Sequence, residues 1–421
     1  MKEYGTKSVH VEDSGLFTEL AILLSKSFDR VTYCSPWRNA FPSSMQTEVG
    51  EGIEGIERVS DIMEVIDDTD LFVFPDIYTG PTQIYLQDLG KRVWGCRDAD
   101  ELERFRIAAK HHFEKLGIPI GPYEAIKGID KLRAYLQKRG KANLWIKIDE
   151  TRGDSETFHS ESYDLIKNKL DDLEFRLGPK AQITQFCVED HLEDTVDLAI
   201  DTFCIDGNYP NITLLGMEEK GEAYLCSRKK MTQMPSELRA TYEVLADTLA
   251  EYQYRSFLSL ESRIGKKGTF LCDPCCRGGS PPLELQLDMI RNIPDILWRG
   301  ADGEIVEPDI PSQYGVELIV HSEWADKNPL LVDFPEKMRE KIKFRYNSEF
   351  DGQTWIMPQG AGARIAAVVD HGDDLDELIE SVKEMAADIK GFQVENFSRA
   401  FPTALEKIEQ LKQFGVSFKG D

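Results

Sequence analysis

The first hundred residues alternate between two hydrophobic periods. Residues 8–11, 31–34, 71–74 and 93–95 are short strand-like runs, and Leu-Phe-Val-Phe at 71–74 is apolar throughout, as in a strand buried on both faces. In the segment 16–28, Leu16, Leu20, Leu23 and Leu24 recur at helical spacing, and 85–89 reads as a short helix. Strands alternating with helices predict a parallel, doubly wound α/β sheet. A helix over 99–116 follows and stops at Gly117-Ile-Pro119, where glycine and proline end a helix.

From 128 to 256 the pattern mixes both periods. It predicts strands at 144–148, 182–188, 198–205 and 223–227 and a helix at 241–252. A hairpin follows, with strands 257–264 and 269–272 around Gly265-Lys-Lys-Gly268. Residues 299–360 have the least regular pattern and are expected to include a connector. The tail reads as a strand at 364–369 and an amphipathic helix at 373–390. Leu375, Leu378, Ile379, Val382, Met385, Ala386 and Ile389 share one face of that helix, so it is core-facing structure without chemistry. There is no tandem repeat and no low-complexity tract.

Composition narrows the function. A chain of 421 residues makes two to four structural units, and 41% hydrophobic residues suffice for a sizeable core. Lys and Arg total 50 against 75 Asp and Glu, a net charge of -25. That field repels a polyanion, so no nucleic-acid partner is expected, whereas a magnesium–nucleotide site suits an acidic protein. Eight cysteines are too sparse for a disulfide scaffold. The opening MKEYGTKSVHVEDSG carries charges where a secretory signal has an apolar core, and no stretch reaches 18 apolar residues. The expectation is a reduced cytoplasmic protein that does not enter the membrane.

The hairpin holds the candidate chemistry. Glu261 lies near the end of its first strand and Asp273 just past the second. A three- or five-residue loop sets them opposite each other on one face; a four-residue turn puts them on opposite faces, because strand side chains alternate. Two carboxylates on adjacent strands suit magnesium, which takes a few carboxylates together with phosphate oxygens. Arg277, four residues after Asp273, has the planar fork that grips phosphate or carboxylate, and Gly278-Gly279 admits a close backbone approach. Taken alone, these residues also read as solvated hairpin charges leading into an ordinary turn.

The segment Asp273-Pro-Cys275-Cys-Arg277 resembles the Glu-x-Asn-x-Arg signature of ATP-grasp enzymes. The GGSPPLELQ after it is similar to the Phe-Gly-Asp-Pro-Glu-x-Gln stretch of phosphoribosylamine–glycine ligases within that superfamily. Upstream, Leu102-Glu-Arg-Phe-Arg106-Ile-Ala-Ala-Lys110 with Gly117-Ile-Pro119 resembles their Leu-Glu-x-Ser-Lys-x-x-x-Lys…Ile-Pro-Thr run. Leu144-Trp-Ile-Lys147-Ile-Asp149 resembles Val-x-Lys-Ala-Asp, and Ile183-Thr-Gln-Phe-Cys187 the strand leading to the adenine hinge. Gly362-Ala-Arg-Ile-Ala-Ala-Val and helix 373–390 resemble the C-terminal domain of these ligases.

The likeness keeps its order over nearly the whole chain. It implies an N-terminal parallel α/β (pre-ATP-grasp) domain at 1–103, a two-lobed ATP-grasp domain at 104–325 and a small C-terminal α+β domain at 326–421. It further implies that Lys147 and Arg106 contact ATP phosphates and that Gln185 and Cys187 offer backbone groups to adenine. Glu261 and Asp273 would bind Mg²⁺, and Arg277 would steady the transferred phosphoryl group or an acyl phosphate. Arg228-Lys-Lys230 would add phosphate contacts, although a solvated strand end explains that run equally well. The implied reaction joins a small-molecule carboxylate to an amine with ATP.

The chain also departs from that pattern. The glycine-rich loop is reduced to Glu150-Thr-Arg152-Gly153-Asp-Ser155-Glu156, Cys275 replaces Asn, Asp273 a glutamate and Arg106 a lysine. Where phosphoribosylamine–glycine ligases have a Gly-rich loop after the first strand, this chain has Glu12-Asp-Ser-Gly-Leu16; their Gly-Pro-Glu is Phe74-Pro-Asp76. A different amine acceptor is therefore expected. Two rival readings follow from the same residues: a nucleotide-binding protein without turnover, and thiol or zinc chemistry at the CxxC of Cys272 and Cys275, for which the histidines supply no matching ligand spacing.

Overall fold

The computed structural model of the chain describes residues 2–35, 48–150, 157–358 and 363–419. In its first part, β1 (Tyr4–Glu12), α1 (Thr18–Ser25), β2 (Phe28–Cys34), β3 (Glu57–Arg58), β4 (Leu71–Val73), α2 (Gly80–Asp88) and β5 (Arg92–Trp94) build a parallel sheet. The strand order is β3-β2-β1-β4-β5, so the winding reverses at β1, and its carboxyl end faces the crevice where open α/β sheets bind ligands. The helix expected over 16–28 is shorter, because Phe28 turns inward to open β2 and is fully buried.

The helix expected over 99–116 is broken. Glu101–Arg104 forms α3, Phe105 leaves helical geometry at φ -97° and ψ 72°, and α4 (Arg106–Leu116) starts afresh. The Asp149 carboxylate accepts the Ile107 N–H at 3.2 Å, satisfying a donor that a helix start leaves open. The break makes Arg106 the first residue of a new helix.

A small lobe follows: β6 (Tyr123–Lys127), α5 (Ile129–Arg139), β7 (Lys141–Ile148), β8 (Thr157–Ser162), α6 (Tyr163–Leu177) and β9 (Gln185–Asp190). Its antiparallel sheet runs β6-β9-β7-β8, and Leu132, Leu136, Leu170 and Leu173 of the two helices pack on Ile146 and Phe186 in a core of their own.

The chain then crosses to the largest sheet. Its elements are β10 (Thr195–Ile205), β11 (Ile212–Glu219), β12 (Ala223–Lys230), α7 (Ser236–Glu251), β13 (Arg255–Gly265), β14 (Gly268–Cys275), α8 (Leu283–Met289), α9 (Ile293–Gly300) and β15 (Tyr314–Ser322). Next come β16 (Leu330–Val332), β17 (Ile342–Phe344), β18 (Asn347–Phe350), β19 (Gln353–Ile356), β20 (Arg364–Gly372), α10 (Leu375–Asp388), β21 (Val394–Asn396) and α11 (Ala400–Leu411). Nine strands join in the order β14-β13-β10-β11-β12-β15-β20-β17, with β21 also on β15.

The stretch 299–360, expected to be the least regular, therefore contains a central strand. In β15 the buried Glu317 interrupts an otherwise apolar run, which hid the strand from the hydrophobic pattern. Burial, with Glu284 beside it, holds the Glu317 carboxyl well above the usual carboxylate range in spite of Arg345. Through β15 and β20 the hydrogen-bonded ladder crosses the expected boundary at 325/326. Among the described residues, no helix is long and apolar enough to cross a membrane.

The middle of this sheet carries a pH-sensitive group. Asp201 on β10 is buried, accepts the Tyr224 hydroxyl and faces Gly216, where a methyl group would collide with both. Burial pushes Asp201 up to about 6, against the hydrogen bonds from Ser259 and Tyr224. A carboxyl that holds its proton more tightly when folded stabilises below its unfolded pKa, and that stability is lost as pH rises through the folded value. Wild type is expected to lose about 2 kcal/mol relative to Asp201→Asn between pH 4 and pH 7. Urea unfolding of both proteins across that range checks it; a constant difference would show that Asp201 does not titrate there.

Candidate functional site

The hairpin β13–β14 decides where the carboxylates meet. Gly265 pairs with Gly268, and the ladder runs regularly through Ser262 opposite Leu271. Continued without a break, it would set Glu261 opposite Cys272. A bulge after Ser262 adds one residue to β14, and Glu261 instead stands directly opposite Asp273. The bulge thus overrides the turn and brings the two acids onto one face.

Cations from three other segments converge on this face. Arg106 at the head of α4 donates to Asp273 Oδ1 at 3.1 Å. Lys147 of β7 lies 3.3 Å from Glu189 Oε2 of β9, and Lys110 reaches the other oxygen of Glu189 at 3.1 Å. Lys220, in the turn between β11 and β12, donates to Glu261 Oε2 at 2.5 Å. A cleft between the small lobe and the hairpin is lined by Glu103, Arg106, Lys110, Glu189, Cys272 and Asp273.

The electrostatics separate the two acids. Burial pushes Asp273 up, but Lys147, Arg106 and Lys220 outweigh it and hold the carboxyl at about 2, so it is ionised at neutral pH. Burial raises Glu261 in spite of Lys220, with Asp197 and Asp273 adding repulsion. Opposed, partly exposed carboxylate oxygens are hard donors that fit Mg²⁺, and the neighbouring cations fit phosphate oxygens. Among the described residues no three His, Cys, Asp or Glu side chains group as a metal site, so phosphate or water oxygens would have to complete the coordination.

Lys110, Glu189 and Lys220 complete this cluster without having been singled out from the sequence. Lys110 follows Arg106 by four residues and so shares its helix face. Glu189 follows Cys187 by two and shares its strand face. Lys220 carries no such signal, because Glu218-Glu-Lys-Gly reads as a solvated turn.

Other expected site residues stand elsewhere. Cys187 lies opposite Ala125 on one side of β9 and Lys147 on the other, so the ladders engage its main chain and leave no free edge for adenine. The Gln185 carbonyl accepts the Asp149 N–H at 2.9 Å. Arg228 donates to the Ile310 carbonyl at 2.8 Å, and Lys230 is exposed at the strand end. Three strands separate β12 from β14, about 19 Å at 4.8 Å per spacing, so Arg228 and Lys230 do not join the cleft.

Arg277 lies at the seam with the N-terminal sheet. It donates to Glu103 at 3.0 Å and sits 3.7 Å from Asp76, while the Gly278 N–H donates to the Pro75 carbonyl. The thiols are not poised for reaction: burial pushes Cys272 up to about 12 and raises Cys275 and Cys276 further. None of the eight cysteines forms a disulfide. The reduced glycine loop (151–156) and Gly362 lie outside the described residues.

With this geometry in place, the comparisons with known proteins are consistent. No family model and no curated protein sequence matches the chain. Solved structures do match over nearly its whole length, and the fold they share is ATP-grasp. One is a phosphoribosylamine–glycine ligase from Thermotoga maritima, with TM-score 0.66, 16% identity, and 92% of this chain and 98% of that one covered. The biotin carboxylase domain of the 2-oxoglutarate carboxylase from Hydrogenobacter thermophilus, solved with MgADP and bicarbonate, gives TM-score 0.67, 12% identity and coverage of 92% and 91%. An L-amino acid ligase from Bacillus licheniformis gives TM-score 0.61, 13% identity and coverage of 92% and 98%.

Proposed function

We propose that the chain is an ATP- and Mg²⁺-dependent carboxylate–amine ligase of the cytoplasm, acting on small molecules. The observation that carries this reading is the bulge that opposes Glu261 and Asp273 beneath Arg106, Lys110 and Lys147. In this reading the three cations hold ATP phosphates, and Glu261 and Asp273 hold the metal, which would neutralise phosphate charge when bound. The donor carboxylate attacks the γ-phosphorus, ADP leaves, and the acyl phosphate is open to attack by the amine, with phosphate as second leaving group. Arg277 is assigned to the transferred phosphoryl group or the acyl phosphate, at the seam between the parts 1–103 and 104–325. The remaining part, 326–421, closes the largest sheet. The amine is taken to differ from phosphoribosylamine, because the first β–α turn is Glu12-Asp-Ser-Gly-Leu16 rather than glycine-rich.

A screen of amino acids and amines with ATP and Mg²⁺, followed by ADP release and product mass, tests the reading directly. A binding-only protein is favoured by one feature, Cys275 in place of an oxygen-bearing Asn. It would be raised in melting temperature by ATP yet release no ADP with any pair.

Lys147 gives a separate check. Its ammonium is almost fully buried, and burial lowers its pKa, but Glu189 and Asp273 more than restore the charge. Lys147→Met is expected to weaken ATP binding about 10- to 100-fold, the loss of one charged hydrogen bond. Titration calorimetry reads this, with circular dichroism confirming the fold. Unchanged affinity would remove Lys147 from the phosphate site.

A further inference from the structure

The carboxyl end of β1 is where a parallel sheet feeding a helix offers free N–H groups to an anion. Here two N–H groups of the turn, those of Gly15 and Phe17, are already taken. Asp13 accepts the Gly15 N–H at 2.9 Å through one oxygen and the Phe17 N–H at 2.6 Å through the other, immediately before α1. The Tyr33 hydroxyl also donates to Asp13, and the side chain is buried. The loop is roofed as well. Gly15 has φ +99°, the Tyr346 N–H donates to its carbonyl at 2.7 Å, and a Cβ on Gly15 would stand 2.9 Å from the Tyr346 ring. Burial pushes Asp13 up to about 6, against its hydrogen bonds, so at neutral pH a phosphate meets both a carboxylate and an aromatic side chain.

The neighbouring groups have the same sign. Ser14 donates to Asp76 at 2.7 Å, and Asp76 and Glu103 flank Arg277. Among the described residues the cations here are matched internally: Arg277 to Glu103, Arg104 to Asp100 at 3.0 Å, and Arg58 to Glu48 at 2.6 Å. Among the described residues no further cation is left for a phosphate on the acceptor, since in the ligase reading Arg277 serves the transferred phosphoryl group, whereas an ammonium group meets carboxylates.

From this the geometry points to Asp13 as a specificity-determining residue that occupies the anion position of the first β–α turn and restricts the acceptor to unphosphorylated amines. The assignment of an acceptor rests on the ligase reading; the blocked anion position does not. Two measurements keep them apart. The first is hydrogen exchange of the peptide holding Gly15 and Phe17, in full-length protein, with and without millimolar inorganic phosphate and O-phosphoethanolamine. Exchange in wild type is expected to be unchanged by either. In Asp13→Gly it is expected to be faster and to slow again when phosphate is added. Phosphate protection of that peptide in wild type overturns the proposal, and this arm decides even where Asp13→Gly does not fold.

The second measurement is ADP release with matched acceptors, ethanolamine against O-phosphoethanolamine and L-serine against O-phosphoserine, each with a panel of carboxylate donors. The unphosphorylated member is expected to be at least tenfold faster. A preference for the phosphorylated member overturns the proposal. If neither member of any pair releases ADP while every donor has been tried, it is the ligase reading that fails, and the exchange result alone judges Asp13.

Discussion

Asp273→Asn is expected to lower ATP-dependent turnover at least about 100-fold, the scale of losing a fixed group that stabilises phosphoryl charge. The loss is one of charge rather than shape, since Asn fills the same space. Asp273 is the ionised member of the opposed pair, held so by Lys147, Arg106 and Lys220. Removing its charge leaves those cations less compensated. Metal-free ATP is therefore expected to bind at least as tightly to the variant as to wild type, while the gain in affinity on adding Mg²⁺ disappears. Calorimetry with and without Mg²⁺ reads this independently of catalysis. Unchanged turnover together with an unchanged Mg²⁺ effect would remove Asp273 from the metal site.

The hairpin shows how far sequence reasoning reaches. Residue types and strand order were legible, and so was the dependence of the pairing on register. The register itself was not, because Gly265-Lys-Lys-Gly268 specifies one alignment and the bulge at Cys272 another. A bulge adds one residue through local backbone geometry and needs no distinctive side chain. The same limit applies to backbone claims. Strand type at 182–188 was readable, but the packing of β9 between β6 and β7, which closes off Cys187, is a property of sheet order. Lys220 was invisible for another reason: a lysine in a turn gains meaning only from the partner brought to it across the fold. The parallel N-terminal sheet was clear apart from its two-residue edge strand β3, because βα alternation and buried apolar runs are local signals and Glu57-Arg58 carries neither.

The buried arginine that ties the C-terminal segment to α8 gives the largest expected change in stability. Arg345 is 1% exposed and follows β17. It donates through Nε to Glu284 Oε1 of α8 at 2.8 Å, with Glu317 of β15 at 3.9 Å. Burial raises the Glu317 carboxyl well above the usual carboxylate range, and Glu284 is the acid that Arg345 hydrogen-bonds. Arg345→Met leaves Glu284 without its cation in a site closed to water, which costs about 3–5 kcal/mol. Denaturant unfolding should show that loss, and Arg345→Met with Glu284→Leu should recover most of it, because replacing both ions by apolar groups is often neutral. An equally unstable double variant would mean that Arg345 acts through packing of its stem. Glu284 also accepts the Ser280 hydroxyl, three residues beyond Arg277. A loosened α8 is therefore expected to raise the KM of the acceptor in the single variant before global unfolding sets in.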